Sequence, residues 1–151
     1  MKVLGLHHAG VLVADPAPIG HALEELLGLE RSGLERYGSE LAIGFYPCGN
    51  ALIEVITPEE GESWNAQWLA RTGSTIQHLA FEVEDIDRAV DDLRDRGVAL
   101  LEPSPRPGAG GTTIAFVDPA ETGSILIELV SDPAGRATRS DREPGSAASE
   151  P

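Results

Sequence analysis

Apolar residues recur along this chain in two registers, every second residue and every third or fourth, and the registers alternate in a fixed order. Residues 3 to 13 alternate as a strand does and end at Asp15-Pro16, a capping residue followed by a proline suited to a first helical turn. Ile19, Ala22, Leu23, Leu26 and Leu27 then recur at helical spacing, predicting a helix over 17–27 with Gly28 as its stop. Three strand-like runs follow at 29–35, 40–46 and 51–56, separated by turn chemistry at Tyr37-Gly38 and Pro47-Cys48-Gly49-Asn50. The first half therefore reads β-α-β-β-β.

Thr57-Pro58-Glu59-Glu60-Gly61 breaks the pattern, and Ser63 then caps a short helix reaching about Arg71. Trp64 and Trp68 share a face of that helix, and packing against a sheet accounts for them better than a cofactor role. The original order then returns. A strand at 76–83 leads to a helix at 86–96 with Ile86, Ala89, Val90 and Leu93 on one face, stopped at Gly97. Strands at 98–102, 112–117 and 124–130 complete a second β-α-β-β-β, and the Pro103 to Gly111 stretch reads as an irregular loop. Residues 132–151 carry Pro, Gly, Ser, Ala and charge without apolar pattern, the signature of a disordered tail. The expected fold class is α+β: modules 1–57 and 74–131, joined by a linker helix, curl a sheet around a cleft and form one domain over 1–131.

The repeat extends to polar residues. His8 and His78 occupy matching strands 70 residues apart, in Leu6-His7-His8-Ala9-Gly10-Val11 and Ile76-Gln77-His78-Leu79-Ala80-Phe81. Glu54 and Glu128 interrupt the apolar runs Ala51-Leu52-Ile53-Glu54-Val55 and Ile125-Leu126-Ile127-Glu128-Leu129, 74 residues apart. One strand histidine is usually a core or rim residue. A carboxylate within an apolar strand is costly to bury unpaired, and here it occurs twice, at equivalent points. If the two sheets face each other, His8, Glu54, His78 and Glu128 reach one cavity. Mixed nitrogen and oxygen donors suit one divalent ion such as Mn, Fe, Co, Ni or Zn. Such an ion keeps positions for a chelating substrate and can polarise a carbonyl. His7 and Gln77, on opposite-facing positions, are expected to support these residues or meet solvent, and His21 to lie on the surface.

Charge and composition narrow the partners. A net charge of −14, with 11 Lys and Arg against 25 Asp and Glu, opposes binding to nucleic acid or an anionic membrane. One cysteine, Cys48, allows no internal disulfide, and the chain opens on a strand without a signal-peptide pattern, so a cytoplasmic protein is expected. No apolar run approaches membrane-spanning length. The Gly108 to Gly111 loop lacks the lysine-bearing helix of a phosphate loop, and no Gly-x-Ser-x-Gly elbow is present.

The ordered set of motifs resembles the vicinal oxygen chelate superfamily (glyoxalase, bleomycin resistance and dioxygenase proteins). It comprises the two His strands, the two Glu strands, Pro58, Trp68-Leu69-Ala70, the Gly loop, and Phe116 to Glu128 with Pro119 and Gly123. Within the superfamily the chain looks most like the methylmalonyl-CoA epimerase family, over roughly residues 4–131. That resemblance implies a glyoxalase-like fold, a divalent metal on His8, Glu54, His78 and Glu128, and proton transfer alpha to a carbonyl. Glu128 is then one base. The family's second carboxylate falls at Ala42 in a gapless match, leaving Glu40, two residues away, as its substitute. Arg106 and Gly110 become the expected contacts of an acyl-CoA, and a homodimer is expected. A glyoxalase-type lyase or isomerase on another chelating substrate is the alternative, as is a non-catalytic small-molecule binder.

Overall fold

A computed structural model describes residues 1–37, 40–58, 63–123 and 125–134. Within it lie eight strands, β1 (Val3–Leu12), β2 (Gly33–Tyr37), β3 (Leu41–Cys48), β4 (Ala51–Pro58), β5 (Thr75–Val83), β6 (Arg106–Pro107), β7 (Thr113–Val117) and β8 (Leu126–Ser131). Four α-helices accompany them: α1 (Ala17–His21), α2 (Trp64–Thr72), α3 (Ile86–Asp95) and α4 (Pro119–Thr122). All strands belong to one sheet, ordered β2-β3-β4-β1-β5-β8-β7-β6 and curled into a half-barrel. This is the expected α+β fold with its two modules. Each module has the same internal order, its first strand parallel to its last, and the modules join where β1 runs antiparallel to β5.

The helices follow from their caps and apolar faces. The Asp85 side chain accepts the Arg88 N–H at the start of α3, and Ile86, Ala89, Val90 and Leu93 are buried against Val83, Ala115, Val117 and Leu129. The Ser63 hydroxyl accepts the Ala66 N–H at the start of α2. Trp68 then packs among Leu12, Ile43, Phe45, Ile56 and Leu126, while Trp64 stacks on it at a centroid distance of 4.9 Å. A third cluster, Val13, Leu23, Tyr46 and Val55, lies beside α1.

Two local expectations are corrected. The first helix is α-helical only to His21 and continues as a π-turn over Ala22–Leu26, in which the Leu27 N–H reaches back to the Ala22 carbonyl. This wider turn rotates the apolar stripe, so Leu23 is buried while Leu26 and Leu27 face solvent. The run at 98–102 forms only one bridge, Leu100 to Val117, and the outer strand is instead Arg106–Pro107, inside the stretch expected to be irregular. A short α4 precedes β8, with Asp118 accepting the Ala120 N–H. Just after β8, the Asp132 carboxylate lies 3.4 Å from His7 Nε2. Residues 135–151 of the expected tail, Gly38 in the first turn and Glu59–Gly61 in the break lie outside the described residues. Among the described residues no helix is long and apolar enough to cross a membrane.

Leu93 tests the packing without touching the cleft. Leu93→Ala should cost about 2–5 kcal/mol in urea unfolding, the range for emptying a buried leucine site, while metal uptake stays at the native level.

Candidate metal site and cavity

Strand pairing brings the sequence-distant donors together. His8 pairs with Ala80 and Gly10 with His78 across the β1–β5 seam, while Glu54 lies beside Gly10 and Glu128 beside Ala80. The two modules therefore contribute one His and one Glu each, related by an approximate twofold axis through the seam. His8, Glu54, His78 and Glu128 are all buried. The Nε2 atoms of His8 and His78 stand 2.8 Å apart. Glu128 Oε2 lies 3.2 Å from His78 Nε2 and 3.6 Å from His8 Nε2, and Glu54 Oε2 lies 3.5 Å from His8 Nε2. His8, His78 and Glu128 form a group able to hold a metal ion, with Glu54 beside them.

Those separations are what a cation imposes on its donors. Donors about 2.1 Å from a metal and at right angles to one another stand about 3 Å apart. His78 Nδ1 lies 3.2 Å from Gln77 Oε1, an oxygen that only accepts, so that nitrogen carries the ring proton and Nε2 carries the lone pair. An unprotonated nitrogen thus points at a second imidazole and at carboxylate oxygens. The donor set fits a divalent ion.

Burial shapes the site's electrostatics in the same sense. It pushes the Glu128 carboxyl up to about 7, against the opposing pull of His78 and Arg106. Burial likewise lowers His78 to about 4, partly offset by Glu128 and reinforced by His8. Neither group gains by ionising alone in this pocket.

Gly10 makes room for one ring. A Cβ at that position would lie 2.0 Å from His78 Cε1, so His78 occupies space that only a glycine leaves open. The equivalent residue of the second module, Ala80, pairs with His8 across the seam.

Above the cluster is a cavity of about 190 Å³, lined on one side by Tyr37, Leu41, Ile43 and Trp64 and on the other by Arg106, Gly108, Ala109 and Phe116. The Arg106 guanidinium lies 5.6 Å from the Phe116 ring centre and pairs with Glu102 at 2.9 Å. Arg106 therefore borders the cavity. Gly110 belongs to the same loop, but its N–H donates to Glu35 Oε2 at 3.1 Å, which ties the loop to β2. The Tyr37 hydroxyl donates to the same oxygen at 2.8 Å, and burial together with Glu35 raises its pKa. Glu40 is exposed in the turn before β3 and does not line the cavity. It has the parity of Ala42, whereas Leu41 and Ile43 face inward. His21 is exposed, as expected, and Cys48 is exposed as well.

Sequence reasoning missed Tyr37, Asn65 and the Glu35 link. Tyr37 had been placed in a turn, and Glu35 meets a residue 75 positions away, a contact without local signature.

The sequence matches the pattern of the Glyoxalase/Bleomycin resistance protein/Dioxygenase superfamily over residues 7–116. The chain belongs to this superfamily. Among its relatives, the uncharacterized protein YqjC of Bacillus subtilis is 30% identical over 82% of this chain and 89% of its own length. The mitochondrial methylmalonyl-CoA epimerase of Bos taurus is 28% identical over 82% of this chain and 72% of its own. The crystal structure of methylmalonyl-CoA epimerase from Mycobacterium tuberculosis superposes with a TM-score of 0.80 at 32% identity, covering 87% of this chain and 91% of that one. The superfamily chain described here is thus similar to epimerases in both sequence and fold.

Two measurements probe the site. Gly10→Ala should displace the His78 ring and weaken divalent-metal binding by at least about tenfold, read by competition with a chromophoric chelator. The second concerns pH and the metal-stripped protein. The lowered His78 pKa makes stability fall as pH drops from about 6.5 to about 4, whereas the raised Glu128 pKa makes it fall as pH climbs from about 4.5 to about 7. Between 4.5 and 6.5 the two slopes oppose each other. Glu128→Gln should leave the His78 slope alone, so urea-unfolding stability should then rise with pH through that window.

Proposed function

We propose that this protein catalyses metal-assisted proton transfer at the carbon alpha to a thioester carbonyl, with a methylmalonyl-CoA-like acyl-CoA as its substrate. The observation that carries the reading is the convergence of His8, His78 and Glu128, with Glu54 beside them, at the floor of a cavity rimmed by Arg106. The similarity to methylmalonyl-CoA epimerases supports the substrate class.

His8, Glu54, His78 and Glu128 would hold one divalent ion. When bound, it supplies Lewis-acid polarisation of the substrate's two carbonyl-type oxygens, which acidifies the carbon between them. Glu128 presents Oε2 to the imidazoles, leaving its other oxygen to take the alpha proton. The C–H bond breaks, its electron pair delocalises into the thioester carbonyl, and the proton rests on Glu128. Burial favours a carboxyl group that can carry this proton near neutral pH. Return of that proton from Glu128 restores the thioester with retained configuration, whereas inversion takes a solvent proton on the opposite face of the planar enolate while Glu128 gives its own proton back to solvent.

The cavity, at about 190 Å³, holds an acyl group and not a whole coenzyme. The rest of an acyl-CoA would run outward past the Arg106–Ala109 loop. Arg106, with its guanidinium beside Phe116, would meet a carboxylate or phosphate there, whereas the Gly110 N–H donates to Glu35 as part of the loop's own anchoring. Trp64, Ile43 and Phe116 give the cavity apolar lining, beside which charges interact more strongly than in open water. Glu40, outside the cavity, takes no part in this reading.

The test is deuterium wash-in at the alpha carbon of methylmalonyl-CoA, with metal content measured on the same sample. The native protein should hold about one equivalent of divalent metal and exchange the proton. Glu128→Gln should lower exchange by roughly 10²–10⁴-fold, the contribution of a positioned base, and Glu40→Gln should leave it within about twofold. Native exchange no faster than in metal-free buffer, with metal bound, would replace the epimerase reading with another substrate or a pure binder.

A further inference from the structure

Successive side chains of a regular strand point to opposite faces, yet His7 and His8 are both buried and so are Gln77 and His78. The reason is visible in the β1–β5 pairing. Its register shifts between Leu6 and His8 and again between His78 and Ile76, so each module has an irregularity at the residue just before its histidine. These irregularities turn His7 and Gln77 toward the rings they precede. His7 Nδ1 lies 2.8 Å from His8 Nδ1, and Gln77 Oε1 lies 3.2 Å from His78 Nδ1.

We propose that His7, braced by Asp132, is a positioning residue that fixes the tautomer of His8 and thereby sets how tightly the cluster holds a divalent cation. This inference rests on the metal reading above. A neutral imidazole has one N–H donor and one acceptor nitrogen. His7 Nε2 faces the Asp132 carboxylate at 3.4 Å, an acceptor, so that nitrogen bears the proton and His7 Nδ1 is left to accept. His8 Nδ1 must then be the donor between the two rings, which strips Nε2 of its proton and aims a lone pair at His78 and Glu128. The chain of three groups selects the tautomer that ligates through Nε2.

The second module performs the same task with different chemistry. Gln77 accepts from His78 and donates through its Nε2 to Asn65 Oδ1 at 2.8 Å, a neutral pair. The first module ends instead on the carboxylate of Asp132, buried with His7. A carboxylate acting through an imidazole raises the basicity of the ring beyond it. His8 is therefore the stronger donor of the two, and the pseudo-symmetric site is electronically uneven.

Gln77 also supplies the conservative replacement for the test. Affinity for Zn²⁺ and Co²⁺ would be measured on stripped protein by competition with a chromophoric chelator. His7→Leu should weaken both by roughly 10–100-fold, Asp132→Asn should give a smaller loss, and His7→Gln should restore most of the affinity. Long-range ¹H–¹⁵N NMR of the Zn²⁺-loaded native protein should find His8 protonated at Nδ1 and bound through Nε2. Asp132→Asn serves where His7→Leu does not fold. Affinities within twofold of native for both of these variants, or coordination of His8 through Nδ1, would overturn the role of His7 while leaving the metal site standing. A native protein that takes up no divalent ion would remove both readings at once.

Discussion

Two imidazole nitrogens held 2.8 Å apart inside a buried pocket are the constraint on which the rest of the structure depends. Each ring belongs to a different module, so neither module completes the site alone. The antiparallel seam between β1 and β5 must hold its register, because a slip of one residue would turn a histidine away from the cluster. Gly10 serves this constraint directly by giving up a side chain where His78 must lie. The outer strands and helices serve it indirectly, by burying apolar surface on the far faces of the same four central strands.

The cost of that arrangement is concentrated in a few groups. His7, His8, Glu54, Gln77, His78, Glu82 and Glu128 are the residues with polar side chains that are buried as whole residues among those described, and six of the seven fall within or beside the cluster or its supports. Such groups are stable inside a protein only when hydrogen bonds or a bound charge replace water. Burial pushes Glu128 toward its neutral form and His78 likewise, so the protein alone leaves these donors short of compensation. His8, His78 and Glu128 are donors able to hold a metal ion, and the cavity above them opens onto the same residues.

Curling of the sheet decides what reaches that cavity. β2 and β6 lie at opposite ends of the strand order, yet Glu35 of β2 accepts the Gly110 N–H beyond β6 and so draws the two ends together. Arg106, paired with Glu102 and lying over Phe116, borders the cavity on the same side as this loop. The cavity is lined both by the buried donors and by the Arg106–Ala109 loop.

The duplication was legible in the sequence for a physical reason. Strand and helix periods are local, and a carboxylate inside an apolar strand is costly enough to be informative when it recurs. His8, Glu54, His78 and Glu128, the helix at Ile86, and the order of elements could all be read that way. The π-turn after His21 could not, because Leu26 and Leu27 fit a helical stripe and only packing shows which residues it buries. Nor could the roles of His7, Glu35 and Asp132. Their partners are set by a register shift, a contact between the two outer ends of the sheet, and a residue after β8 meeting β1. Those are consequences of how the strands pair in three dimensions, and no local pattern of residues encodes them.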